Sequence, residues 1–215
     1  MPQRDASAPW SVGRLLGPPA LAARAVLVVL ISTAVWGGLT SFGQQYLPDE
    51  LRSFANASGP WFSAVLASIV IARPRLWLAI TLGALGLIVM NEAYGVVSRW
   101  RGFPYGGGLT SIWNLIAVVV GPVAGIAATW LRSSRPVLVA LGAAAPAAVF
   151  IGEGLYGLTA ISDTTSPVFW SIEFTAGVAL VAIVAARVRA IAAVAVLVGA
   201  TALGAALFYV VYSSL

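Results

Sequence analysis

A chain of 215 residues that is 60% hydrophobic and 9% charged, with a mean hydropathy of +0.95, cannot cover the surface of a soluble domain, which carries about 25% charged residues. The net charge of +5 is carried wholly by arginines that fall mostly in pairs between apolar runs, a distribution set by membrane topology and not by nucleic-acid binding. Cysteine, histidine and lysine are all absent, which excludes disulfides, thiolate and imidazole metal sites, Ser-His-Asp and Cys-His catalysis, and a retinal-type Schiff base.

In chain order, residues 1–19 carry Arg4, Asp5, Arg14 and a Pro18-Pro19 pair and read as a polar cytoplasmic tail; residues 20–215 read as a single transmembrane helical domain. The first apolar run, 21–42, follows basic residues as a signal peptide would. No Ala-x-Ala cleavage pattern follows it and it is long enough to span, so an uncleaved first helix is expected. Gln44, Gln45 and Tyr46 close it, and Pro48 starts a loop, LPDELRSF, that should lie on the membrane surface.

A second span is expected over 55–72, ending at Arg73-Pro74-Arg75, and a third over 76–97, closed by the loop SRWRGFPYGGGLTS. The fourth, 112–131, contains Gly121-Pro122-x-x-Gly125, a pattern for close helix contact and a local kink. The remaining spans are 136–156, 167–186 and 190–212. The expected fold is therefore all-α, a polytopic membrane protein of seven transmembrane helices arranged as one helix plus three hairpins. With the N-terminus in the cytoplasm and the C-terminus outside, nine of the twelve arginines lie inside, and only Arg52, Arg99 and Arg101 lie outside. The hairpins look like a repeat: each enters near a tryptophan, turns at arginines and leaves at a tyrosine, as in Trp61 to Tyr94, Trp113 to Tyr156 and Trp170 to Tyr212.

Three carboxylates fall within spans: Glu92, Glu153 and Glu173, all in the outer third of their helices. A charged side chain at mid-membrane costs roughly 2.5–3.5 kcal/mol on insertion scales, so such residues are candidates for function. At the same depth lie Asn91, Tyr94, Trp113, Asn114, Tyr156, Gln44 and Gln45. Together these are expected to line an outward-facing acidic and aromatic cavity suited to a small cationic or heteroaromatic solute. Arg99 and Arg101 offer the other account, in which they neutralise Glu92 and Glu173. No phosphate loop, metal-ligand spacing or nucleophile with its base is present, so no enzyme, cofactor or metal is expected.

The segments GGLTSFGQQYLP and ANASGPW, the glutamate-bearing third span, the stretch from Trp113 to Gly125 and GEGLYG resemble an uncharacterised family of small multi-spanning membrane proteins found largely in actinobacteria, over residues 37–158. The resemblance implies no activity. GPWFSAVLASIVIARP, with its Gly-x-Trp segment before an Arg-Pro turn, is similar to substrate-binding membrane subunits of energy-coupling-factor importers for thiamine precursors, which implies a solute held near the outer face. The expected function is a multi-pass plasma-membrane protein that binds or transports a small cationic solute. The alternative is a non-catalytic scaffold or partner subunit of a larger membrane complex.

Overall fold

The computed structural model describes residues 19–105 and 107–214, and every regular element among them is a helix. The order is α1 (Pro19–Tyr46), a 3-10 helix (Asp49–Ala55), α2 (Ser58–Ala72), α3 (Leu76–Trp100), α4 (Ile112–Trp130), α5 (Pro136–Ala160), α6 (Pro167–Val188) and α7 (Ile191–Tyr212). The polar tail expected over 1–19 lies outside the described residues, apart from Pro19, which opens α1.

Six of these helices are long and apolar enough to cross a membrane, and the side chains face as a bilayer requires. Along α1 the buried positions are Ala25, Val29, Thr33 and Gly37, one per turn, whereas Leu27, Ile31, Val35 and Leu39 point outward. Small and weakly polar residues inside with large aliphatics outside is the pattern of a helix packed in lipid, where close backbone approach drives association. In water the same exposed row would be an aggregation surface. The chain is a multi-pass integral membrane protein.

The second expected span is not one continuous helix. The run over 55–72 is broken: the 3-10 helix and α2 meet at Asn56–Ala57 with a bend of 50°, and α2 has only 15 residues. At 1.5 Å per residue that is about 22 Å, short of a hydrocarbon core of roughly 30 Å. Pro60 explains the late start, because a proline inside a helix collides with the carbonyl four residues earlier and supplies no N–H. A helix containing Pro60 must begin within a few residues of it, and this one begins at Ser58. Seven crossings are reached only if the bent pair is counted as one span.

Nor do the three hairpins hold the bundle together. The tightest packing joins α3 to α4 and α1, and α5 to α6 and α7, giving two sub-bundles with α2 between them. The α3–α4 seam is built on glycine: a Cβ on Gly83 would lie 1.9 Å from the Gly121 carbonyl oxygen, and one on Gly125 would lie 2.2 Å from that of Ala79. The two backbones touch, as the Gly121-x-x-x-Gly125 pattern implied, and α4 continues through Pro122.

All six described carboxylates lie toward one end of the bundle: Asp49, Glu50, Glu92, Glu153, Asp163 and Glu173. The turns after α2, α4 and α6 form the opposite end, with Arg73, Arg75, Arg132, Arg135, Arg187 and Arg189. These are called here the carboxylate end and the arginine end.

Candidate functional site

A helix leaves its first backbone N–H groups without intrahelical partners, and α2 begins inside the bundle where water cannot supply them. Its N-cap is Ala57, which has no side-chain acceptor. Glu153, 2% exposed on α5, takes that role from another helix: its Oε1 accepts from the Ser58 N–H at 2.7 Å and its Oε2 from the Gly59 N–H at 2.7 Å. The carboxylate thus sits on the positive end of the α2 dipole with both oxygens occupied. The Ser58 hydroxyl, in a position to cap the helix itself, instead pairs with the Tyr212 hydroxyl at 2.8 Å.

Glu173 reaches the same point from α6 and is 3% exposed. A Cβ on Gly59 would lie 2.0 Å from its Oε1 and 2.5 Å from the Phe150 ring, so only glycine fits beneath it. Apart from the Glu153 carboxyl that it faces, Glu173 has no hydrogen-bond partner among the described residues. Aromatic rings wall this pair of acids: Tyr156 stands edge-on to Tyr212 at 5.3 Å, Tyr212 stacks on Phe208 at 4.6 Å, and Phe169 meets Trp170 at 4.9 Å.

A second polar cluster lies between α3 and α4. The Asn91 amide donates to Asn114 Oδ1 at 3.0 Å, and the Asn114 amide donates to Glu92 Oε1 at 2.7 Å and to the Gly108 carbonyl at 3.0 Å. Glu92 is half-buried, set against the first turn of α4 much as Glu153 is set against that of α2. Tyr94 donates to Gln44 at 2.9 Å, and Gln44 in turn donates to Asn56 in the α2 approach. The expected single cavity is therefore two clusters, Glu92 with Asn91 and Asn114, and Glu153 with Glu173 and Tyr156. The chain around Gln44 and Asn56 joins the first to the start of α2. Trp113 is 48% exposed and faces outward from α4, and Gln45 is exposed and accepts from Arg101.

The two outer arginines do not neutralise the glutamates. Arg101 donates to the Ser41 carbonyl and to Gln45 and lies 4.2 Å over the Phe42 ring, while Arg99 stands 5.5 Å over Tyr105. The one ion pair among the described residues is Arg52 with Asp49. Burial, and then the charge of Glu92, push the Tyr105 phenol above its ordinary value of 10.0. The neutral form is the one the fold favours, so this contribution to stability is present below pH 10.0 and is lost as pH rises through the folded-state value. An absorbance titration should show one fewer late-ionising tyrosine in Tyr105→Phe than in the wild type.

Two cavities among the described residues are lined without a glutamate. One of about 590 Å³ is lined by Arg73, Thr129 and Arg132 at the arginine end. The other, about 170 Å³, is an apolar crevice between α4 and α5 lined by Val123, Ile126, Ala127, Trp130, Leu141 and Ala145.

A family model described as a family of unknown function, DUF6518, matches residues 17–215. The chain belongs to DUF6518. No curated protein and no solved structure matches this DUF6518 chain, and the likeness to energy-coupling-factor importers finds no support. Ser58, Gly59 and Tyr212, which surround the acids in this DUF6518 protein, were not among the residues picked from sequence. Gly59-Pro60 was the available signal, since it forces a helix to begin at the depth of Glu153 and leaves that start without a cap of its own.

Proposed function

We propose that this protein is a plasma-membrane solute-binding or transport protein for small cations, with the arginine end in the cytoplasm and Glu173 as the charge-recognition group. One observation supports the reading above the others: Glu173 is buried in a membrane-embedded bundle and, apart from the Glu153 carboxyl that it faces, has no hydrogen-bond partner among the described residues. Burying a polar group without a partner costs roughly 1–3 kcal/mol in proteins, and an ionised one far more, so a cation arriving at this carboxyl would recover that cost. Glu153 is committed to α2 and acts as the positioning group. α2 is the element suited to movement, being short and broken at its entry, and displacing it would open the packed end between Glu153, Glu173, Tyr156 and Tyr212.

The test is uptake into liposomes of a panel of small organic cations, heteroaromatic ones included, with a pH-sensitive dye to follow protons. Glu173→Gln keeps the shape and removes the charge, so it should melt as the wild type does while losing uptake by about tenfold or more, the worth of one charge-assisted contact. Uptake by Glu173→Gln equal to wild type removes the reading. The second reading, a partner subunit of a larger complex, is favoured by the burial of Glu153 and Glu173 away from solvent. It expects no uptake by either protein and a second membrane chain retained in native mass spectrometry.

A further inference from the structure

The arginine end holds a site independent of the glutamates. We propose that the cavity between Arg73 and Arg132 binds the phosphate of an anionic membrane lipid.

The fold brings two guanidinium groups to the walls of one cavity of about 590 Å³, which Thr129 also lines. Like charges repel, and burial and then Arg73 lower the Arg132 pKa from its ordinary value. No described carboxylate lies at this end to compensate, so an anion meets two guanidinium groups with no competing acid among the described residues. Arg132 donates one bond, to the Pro74 carbonyl at 3.1 Å, out of five N–H groups, which leaves a fork suited to phosphate oxygens.

Arg73 adds a second observation. It ends α2 at φ 54° and ψ 43°, the left-handed region that glycine adopts freely and an L side chain only at a cost. Keeping arginine at a glycine position places a charge on the cavity wall. A lipid fits better than free phosphate because Thr129 and Arg132 place the cavity at the end of α4, a helix long and apolar enough to span, where a lipid phosphate would sit at the membrane interface.

The experiment uses the delipidated full chain in neutral detergent, titrated separately with phosphatidylglycerol, phosphatidylcholine and inorganic phosphate, and read by native mass spectrometry and thermal shift. Wild type should retain phosphatidylglycerol as one adduct and melt higher with it. Arg73→Gly and Arg132→Gln should each weaken retention about tenfold. Arg75→Gln and Arg135→Gln should leave it unchanged. Arg73→Gly also relaxes the strained backbone, so it should melt no lower than wild type without lipid, which separates lost binding from lost fold. The proposal is overturned by equal retention in wild type and both cavity variants, by equal losses in the two control variants, or by phosphatidylcholine binding as well as phosphatidylglycerol. Inorganic phosphate giving the same shift as the lipid overturns the lipid assignment in favour of a free-anion site.

Discussion

Glu153→Ala should destabilise the protein by about 3–5 kcal/mol, the largest single-residue effect expected, because it strands two buried N–H donors at the start of α2 and removes the negative charge at that helix end. Both bonds are 2.7 Å and both come from another helix, so nothing local can replace them: Ala57 has no acceptor and the Ser58 hydroxyl is taken by Tyr212. Glu153→Gln keeps one acceptor but turns an amide toward the other donor, and should lose about 1.5–3 kcal/mol. Reversible unfolding in mixed micelles, followed by circular dichroism, gives both numbers. Alanine tolerated within about 0.5 kcal/mol would mean that water reaches the α2 N-terminus and that the helix start is not sealed.

Gly83→Val comes second, with an expected loss of about 3 kcal/mol, at the upper end of what overpacking costs. The clash is with backbone: a Cβ there lies 1.9 Å from the Gly121 carbonyl oxygen, and the facing Gly121 would put its own 2.4 Å from the Ala84 Cα. Neither atom can swing aside, so α3 and α4 must separate. That separation pulls on the bonds linking Asn91, Asn114 and Glu92 further along the same seam. Gly199→Ala is the control: a Cβ there meets nothing within 4 Å, and its melting curve should match or exceed that of the wild type.

These two expectations differ in how far the sequence already contained them. Gly121-x-x-x-Gly125 reads as a contact face before any coordinates exist, because small residues one turn apart have few other uses in lipid; what the pattern cannot say is that the partner is Gly83 on α3. The glutamates were legible as costly groups at a common level, since Glu92, Glu153 and Glu173 lie eight, seven and six residues from the nearer ends of their helices. Their partners were not. Glu153 and Ser58 are 95 positions apart, and no local spacing rule relates them.

By itself the sequence determined an all-helical chain that lives in a bilayer, with arginine turns at one end and carboxylates at the other, because hydropathy and charge act residue by residue and need no contacts to be read. Tertiary structure alone decided that the second apolar run is a short helix started at Ser58, that one glutamate is consumed in holding that helix while its neighbour finds no partner but that glutamate, and that Arg99 and Arg101 stack on rings instead of meeting acids. The reason is physical: a buried carboxyl goes to whichever donors the packed backbones bring within about 3 Å, and in lipid that choice is made by where helices touch, not by what lies next to it in the chain.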